Sequence, residues 1–245
     1  TADPPRGCRA WSILGGVTAG LAILTRPSWL LFTPFVLASL VLTSPNRRRH
    51  LFVGGWMVLA LCAAMAPWWV RNYCVTGHFV VTTSQVGASL YDGLNPGATG
   101  ASEMSFAESF YRQQKKADAK AGRSAKGFEV RLDHRLRNAA LAWAANHPRR
   151  VIGLMGRKFM RIWNIWPNEK SFRQGWLGTV VAVGYTPLLV LSLVGAGIWG
   201  RRGWPLVVCL FPAIYFTGLH LVFVGSIRYR QPAMLVWLIL AAAVM

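Results

Sequence analysis

The sequence predicts an all-α integral membrane protein, and three observations lead there. Charged residues make up 14% of the 245 positions, where a water-soluble domain carries about 25%. Hydrophobic residues make up 53% and fall in blocks long enough for membrane spans rather than being dispersed. One extended polar region, residues 71–175, separates these blocks into two groups. The expected organisation is therefore membrane helices over 1–70 (a short pair and one full span), an external and mainly helical domain over 71–175, and membrane helices over 176–245, the last one truncated.

The elements follow in order. Residues 1–9 are polar, with two prolines and two arginines. Trp11 to Leu24 and Ser28 to Leu42 are apolar runs of about 15 residues, or about 22 Å as helix, against a hydrocarbon core of about 30 Å. The Thr25-Arg26-Pro27 turn between them should lie below the membrane surface, with both ends of the pair returning to one side. Broken backbone at that depth is tolerated only where it faces protein or a water-filled cavity, which singles out Arg26. After the basic link Ser44 to His50, Leu51 to Val70 reads as a full span, ending at the interfacial tryptophans Trp68 and Trp69 beside Arg71 and Asn72.

Within the polar region, Phe79 to Thr83 fits a short strand and Gly93 to Gly100 is turn-rich. Ser105-Phe-Ala-Glu108 fits a capping box opening a helix with Phe106 and Phe110 on one face. Phe128, Leu132, Leu136, Ala140 and Trp143 recur at helical spacing up to Asn146-His-Pro148. A third helix, about Val151 to Trp163, gathers Val151, Leu154, Met155, Phe159 and Ile162 on one face, with Arg150, Arg157, Lys158 and Arg161 around the rest. Such a basic amphipathic helix lies flat on the outer membrane surface or packs on the external domain. Trp176 to Trp199 and Trp204 to Val224 are spans joined by the basic turn Gly200 to Gly203. Gly225 to Gln231 is a loop, and a last helix starts at Pro232.

Arginines in short loops set the orientation. Arg6, Arg9, Arg47, Arg48, Arg49, Arg201 and Arg202 fall on one side, which is cytoplasmic; Arg26, Arg228 and Arg230 fall on the other. The net charge of +19 would suit a nucleic-acid binder, but in a membrane chain a basic surface facing anionic lipid explains it. The four cysteines, Cys8, Cys62, Cys74 and Cys209, have no metal or redox spacing and imply no disulfide framework. A chain that starts at Thr1 without methionine and ends in an apolar run reads as part of a longer protein.

Motifs for nucleotide, dinucleotide, zinc-protease and serine-hydrolase chemistry are missing. His134 and His147 lack partners at ligand spacing, and His220 sits in an apolar span, where neutral hydrogen bonding to a neighbouring helix competes with a functional role. The spans hold no Asp or Glu, which argues against a carboxylate-coupled ion transporter. Topology instead places Arg26, Arg71, Arg228 and Arg230 on the external face, at the mouths of four apolar segments. Singly each could be a snorkelling anchor; in a compact bundle they would surround one pocket suited to a lipid phosphate, since guanidinium offers bidentate donors and keeps its charge.

Gly20 to Pro27, Pro67-Trp-Trp-Val-Arg-Asn-Tyr73, Tyr91-Asp-Gly-Leu-Asn-Pro96, His147-Pro148 with Lys158, and Arg228-Tyr-Arg-Gln-Pro232 occur in this order. Over nearly the whole chain the set resembles the later part of the bacterial GT-C membrane glycosyltransferases related to protein O-mannosyltransferases and the aminoarabinose transferase of lipid A. The resemblance implies a GT-C-type multi-span bundle in the bacterial cytoplasmic (inner) membrane. It also implies a polyprenyl-phosphate sugar donor whose sugar passes to an acceptor on the outer face, with Arg26, Arg71, Arg228, Tyr229 and Arg230 holding the donor phosphate. Asn72, Tyr91 and Asn95 would line the substrate pocket. The family's catalytic carboxylate, the acceptor's general base, belongs to a first external loop that would precede Thr1; Asp92 is a weaker candidate, since Asp before Gly is also a turn former. No cofactor is called for, a divalent metal is left open, and nucleic acid is not a partner. Two other functions fit the same arginines: a flippase or exporter of lipid-linked sugars, and a non-catalytic membrane scaffold.

Overall fold

The computed structural model describes residues 6–173, 176–199 and 204–244. Among the described residues the chain is helical with no strand, and three helices are long and apolar enough to cross a membrane. It is a helical membrane protein built of two compact units. One comprises Thr1–Gln85 with Arg112–Asp133, the other Val86–Tyr111 with His134–Met245. Each unit thus combines apolar helices with a share of the polar region 71–175. The basic turn at Arg201 and Arg202 lies outside the described residues.

In the first unit, α1 (Arg6–Thr25), α2 (Phe32–Thr43) and α3 (Arg47–Thr76) form the apolar part. α1 starts earlier than the hydrophobic run predicts, because Cys8, Arg9 and Ala10 join it. The Arg9 guanidinium lies over Phe52 and Trp56, 5.3 and 6.0 Å from their ring centres, so the charge has an aromatic bed and need not end the helix. Hydroxyls inside α1 bond back to their own helix, Ser12 to the Cys8 carbonyl at 2.6 Å and Thr18 to that of Leu14 at 2.8 Å, which satisfies them without water. The apolar stretch Gly7–Thr25 runs 19 residues, about 28 Å of helix. Arg26 therefore follows a helix of span length, longer than the run of about 15 residues that the sequence predicts. Its extended backbone (φ −146°, ψ 105°), forced by the following Pro27, stops α1, and a 3-10 turn over Pro27–Trp29 leads into α2.

α1 and α3 run parallel and close: a methyl group at Gly16 would sit 2.1 Å from the Met57 carbonyl oxygen, and one at Gly20 2.8 Å from Ala64 Cβ. Small residues four apart let two helix backbones approach this way. α3 is 30 residues long, about 45 Å, and continues through Pro67, Arg71 and Asn72. It ends only at Gly77, whose left-handed φ of 72° closes the helix with its N–H on the Tyr73 carbonyl. The chain therefore leaves the apolar helix six residues after Arg71, not at it. The segment read as a strand, Phe79 to Thr83, is irregular: its carbonyls at Val81 and Thr82 accept the indole N–H groups of Trp69 and Trp68 at 2.8 and 2.9 Å. Those carbonyls are turned to α3 instead of to a second strand. The indole donors expected at lipid headgroups are used within the chain. Asp118, buried, pairs with Arg131 at 3.0 Å and Arg123 at 3.4 Å, closing the turn between the next helices.

In the polar region the helices are α4 (Val86–Gly93), α5 (Phe106–Lys120), α6 (Phe128–Asn146), α7 (Pro148–Trp163) and α8 (Lys170–Arg173). α5 and α6 start where the capping box and the periodicity place them. In the second unit, Leu90, Leu94 and Ala140 form a core with Tyr91, Trp143, Val151 and Phe223 around it. α9 (Trp176–Trp199), α10 (Trp204–Val222) and α11 (Gln231–Ala242) complete the chain, with a 3-10 turn at Ile227–Arg230. α9 and α11 run parallel, joined where Ser192 donates to the Trp237 carbonyl at 2.6 Å.

α7 packs on α10 and on the 3-10 turn through Leu154, Lys158 and Ile162, all fully buried. Phe159 and Met160, at 46% and 70% exposure, stay outside this contact with Ile152. This corrects the expected face. Leu154, Lys158 and Ile162 are spaced four apart and share one stripe, so Lys158 belongs with the apolar residues and Phe159 does not belong with the packed ones.

Candidate functional site

The sequence-predicted arginines divide between the units. In the first, Arg26 and Arg71 stand at the same end of the parallel pair α1 and α3. Arg71 is exposed; its guanidinium lies 5.5 Å over Trp68 and donates to the Asn72 side-chain oxygen at 3.1 Å. Asn72 is buried, and its amide nitrogen has no partner among the described residues.

In the second unit the loop after α10 brings Arg228, Tyr229 and Arg230 together, but in different states. Arg230 is 6% exposed. It donates to the carbonyls of Ile162 and Asn164 at 3.3 and 2.5 Å, closing the C-terminal end of α7, where a cation suits the helix dipole. Its guanidinium also lies 3.6 Å over the Tyr185 ring. Burial pulls its pKa below the ordinary guanidinium value, with Tyr185 opposing, yet an arginine remains a cation under these conditions. Arg228 is exposed. Its hydrogen bond among the described residues goes to the Tyr229 hydroxyl at 2.9 Å, and its guanidinium rests 4.9 Å over that ring. Tyr229 in turn stacks on His220 at 3.7 Å and 13°. One arginine is thus fixed and the other is held by a contact that a stronger acceptor displaces.

Arg228 and Arg230 line a cavity of about 360 Å³ with Gly184, Tyr185, Leu188, Ile227, Gln231 and Met234. Among the described residues no carboxylate lines it, and the sequence holds no Asp or Glu after Glu169. Tyr185 also borders a second, apolar cavity of about 610 Å³, walled by Phe159, Trp163, Leu189, Leu221 and Trp237. Trp163 and Trp237 meet there at 5.1 Å. The arrangement joins a basic pocket to an apolar groove, the two halves an amphiphilic anion requires.

The remaining candidates are occupied structurally. Asp92 is not in a turn; it lies in α4, 3% exposed, and its two oxygens accept Ser102 Oγ at 2.6 Å and the Glu103 N–H at 2.8 Å. Tyr91 packs edge-on against Phe106 at 4.9 Å. Asn95 donates to the Tyr91 carbonyl at 2.7 Å and accepts the Gly97 N–H at 2.7 Å, shaping the end of α4. Among the described residues no three His, Cys, Asp or Glu side chains converge.

Sequence reasoning missed Tyr185, Trp237 and Lys158. The two aromatics looked like ordinary span residues. Lys158 carried a signal, its place between Leu154 and Ile162 on the apolar stripe. It is fully buried and donates to the Val222 carbonyl at 2.7 Å. Burial lowers its pKa to about 8, against the opposing pull of Asp92. Compared with protein-family models, with curated proteins and with solved structures, the chain finds no match.

Proposed function

We propose that the protein is part of a GT-C-type membrane glycosyltransferase that takes a sugar from a polyprenyl-phosphate donor at the outer face of the bacterial inner membrane. In this reading the cavity of Arg228 and Arg230 receives the donor phosphate, and the apolar groove across Tyr185 receives the first part of the isoprenoid chain. The observation that carries it is the pair of arginines lining one small cavity with no acidic side chain among the described residues to neutralise them. Two uncompensated cations at the end of apolar helices favour a bound anion. The groove beside them favours an anion with a hydrocarbon tail.

The chemistry asked of these residues is modest. Arg230, fixed on α7, supplies a permanent positive wall. Arg228 swings from Tyr229 to the phosphate, where charge-assisted hydrogen bonds are stronger than the one it leaves. As the sugar departs, negative charge grows on the phosphate, and donors already in place stabilise it without reorganisation. Asp92, with both oxygens engaged, is a poor general base, so the proposed base lies outside the residues that surround this cavity.

Binding of farnesyl phosphate and of farnesol to the purified protein tests the reading. The phosphate should bind at least tenfold more tightly than the alcohol. Arg228→Ala should weaken it by about 10- to 100-fold, the worth of a hydrogen bond to a charged group. Arg228→Lys should recover part of that, lacking the fork. Equal affinity for alcohol and phosphate would sink the proposal.

A further inference from the structure

The arch that presents Arg228 is held at both feet by α7. On one side Lys158 donates to the carbonyl of Val222, the last residue of α10, and Arg161 donates to that of Gly225 at 3.2 Å. Gly225 N–H donates to the Gly100 carbonyl at 2.9 Å. The backbones touch here: a methyl group at Gly225 would sit 2.7 Å from the Lys158 carbonyl oxygen, and one at Gly93 2.2 Å from that of Phe223. On the other side Arg230 reaches back to the end of α7. Between these feet, residues 226–229 carry Arg228 at the exposed crest.

We infer that Lys158 is a positioning residue for the anion cavity: hydrogen-bonded to the Val222 carbonyl, its buried ammonium fixes the arch from which Arg228 meets the ligand. This rests on the phosphate-binding reading above. The clamp lies outside the cavity, so Lys158 touches no ligand and acts only through the arch. A cation at the C-terminal carbonyl of a helix is favoured by the dipole as well as by the hydrogen bond. The charged and titratable groups to weigh are Asp92 of α4, whose carboxylate acts on the ammonium through space, Arg157 and Arg161 near it on α7, and His220 on α10, two residues before the carbonyl it holds. The Asp92 carboxylate is the acid among them, so loss of the Lys158 charge leaves the clamp with a neutral donor and a weaker grip.

The test compares wild type with Lys158→Met and with the double variant Lys158→Met/Asp92→Asn, which leaves no buried charge unpaired and so keeps the fold if the single variant does not. Farnesyl phosphate is the probe. The double variant should bind it about tenfold more weakly, and adding Arg228→Ala should then cost much less than it does in wild type, because the arch no longer presents that side chain. Wild-type affinity should fall between pH 7 and 9 with a midpoint near 8, while the double variant should be flat there. Amide hydrogen exchange over residues 223–230 should accelerate in the double variant and stay unchanged in α9. Unaltered affinity, pH profile and exchange would overturn the inference. If wild type shows no preference for the phosphate, the functional reading fails, and the exchange result alone still decides whether Lys158 fixes the arch.

Discussion

Burying the Lys158 ammonium strips it of water, and the nearby Asp92 carboxylate offsets only part of that loss, so its pKa falls from 10.5 to about 8. Between these two values the unfolded chain binds more protons than the folded one, and stability therefore rises with pH through that window. Thermal unfolding of the detergent-solubilised protein should show a midpoint that climbs from pH 7.5 to 9.5, and Lys158→Met should remove the climb. A midpoint that falls over this range in wild type would contradict the burial argument. The trend opposes the expected fall in phosphate affinity, and a buried lysine with no part in fixing the arch would show the climb without the fall. Single side chains were the least legible part of the sequence. A charge on an amphipathic helix is ordinarily solvated, so Lys158 joined the arginines by residue type, although its spacing to Leu154 and Ile162 put it on the packed stripe. Asp92 and Asn95 were found but given external roles, because hydrogen bonds to Ser102, Glu103 and Gly97 depend on how the 94–105 segment folds back.

Helices were legible wherever apolar periodicity or a boundary signal marked them. α6 and α7 end and begin at Asn146-His147-Pro148 as expected, and α5 follows its capping box. The errors lie at helix ends. α1 gains its first turns because Arg9 is stacked on Phe52 and Trp56, and α3 runs past Trp68 and Trp69 to Gly77 because Arg71 and Asn72 fit a helix as well as a loop. Only contacts from another helix, or the first glycine with a positive φ, settle such boundaries. The parallel packing of α1 on α3 gives a direct prediction. Gly16→Ala places its methyl against the Met57 carbonyl and should destabilise the protein by about 1–3 kcal/mol. Gly55→Ala, which meets nothing within 4 Å, should be neutral or gain up to about 1 kcal/mol from helix propensity. Unfolding followed by circular dichroism in mixed detergent distinguishes them; equal effects would refute the close approach. For α7, a spin label at Met160 should be reached by oxygen in the bilayer, as an interfacial face requires. A label there reached only by a water-soluble relaxation agent would show that this face is not on the membrane.

Across the whole molecule, composition alone gave the class: few charges, apolar blocks, and acids confined to a minority of the chain. It also gave the excess of arginines at helix ends, and the second unit does bring Arg228 and Arg230 to one cavity. It did not give the division of labour between them, which arises because Arg230 completes the end of α7 and stacks on Tyr185, 45 residues away in sequence, while Arg228 stays at the crest. Nor did it give the apolar groove, whose walls come from α7, α9, α10 and α11 and have no common motif. We propose that this cavity and groove take an isoprenyl phosphate. A photoactivatable isoprenyl phosphate cross-linked to the protein in membranes, with labelled peptides mapped by mass spectrometry, tests it most directly. Label should fall on residues 223–231 and on α9 near Gly184 to Leu188, be displaced by unlabelled isoprenyl phosphate but not by the alcohol, and drop in Arg228→Ala. Labelling that the alcohol displaces equally, or that Arg228→Ala leaves intact, would contradict it.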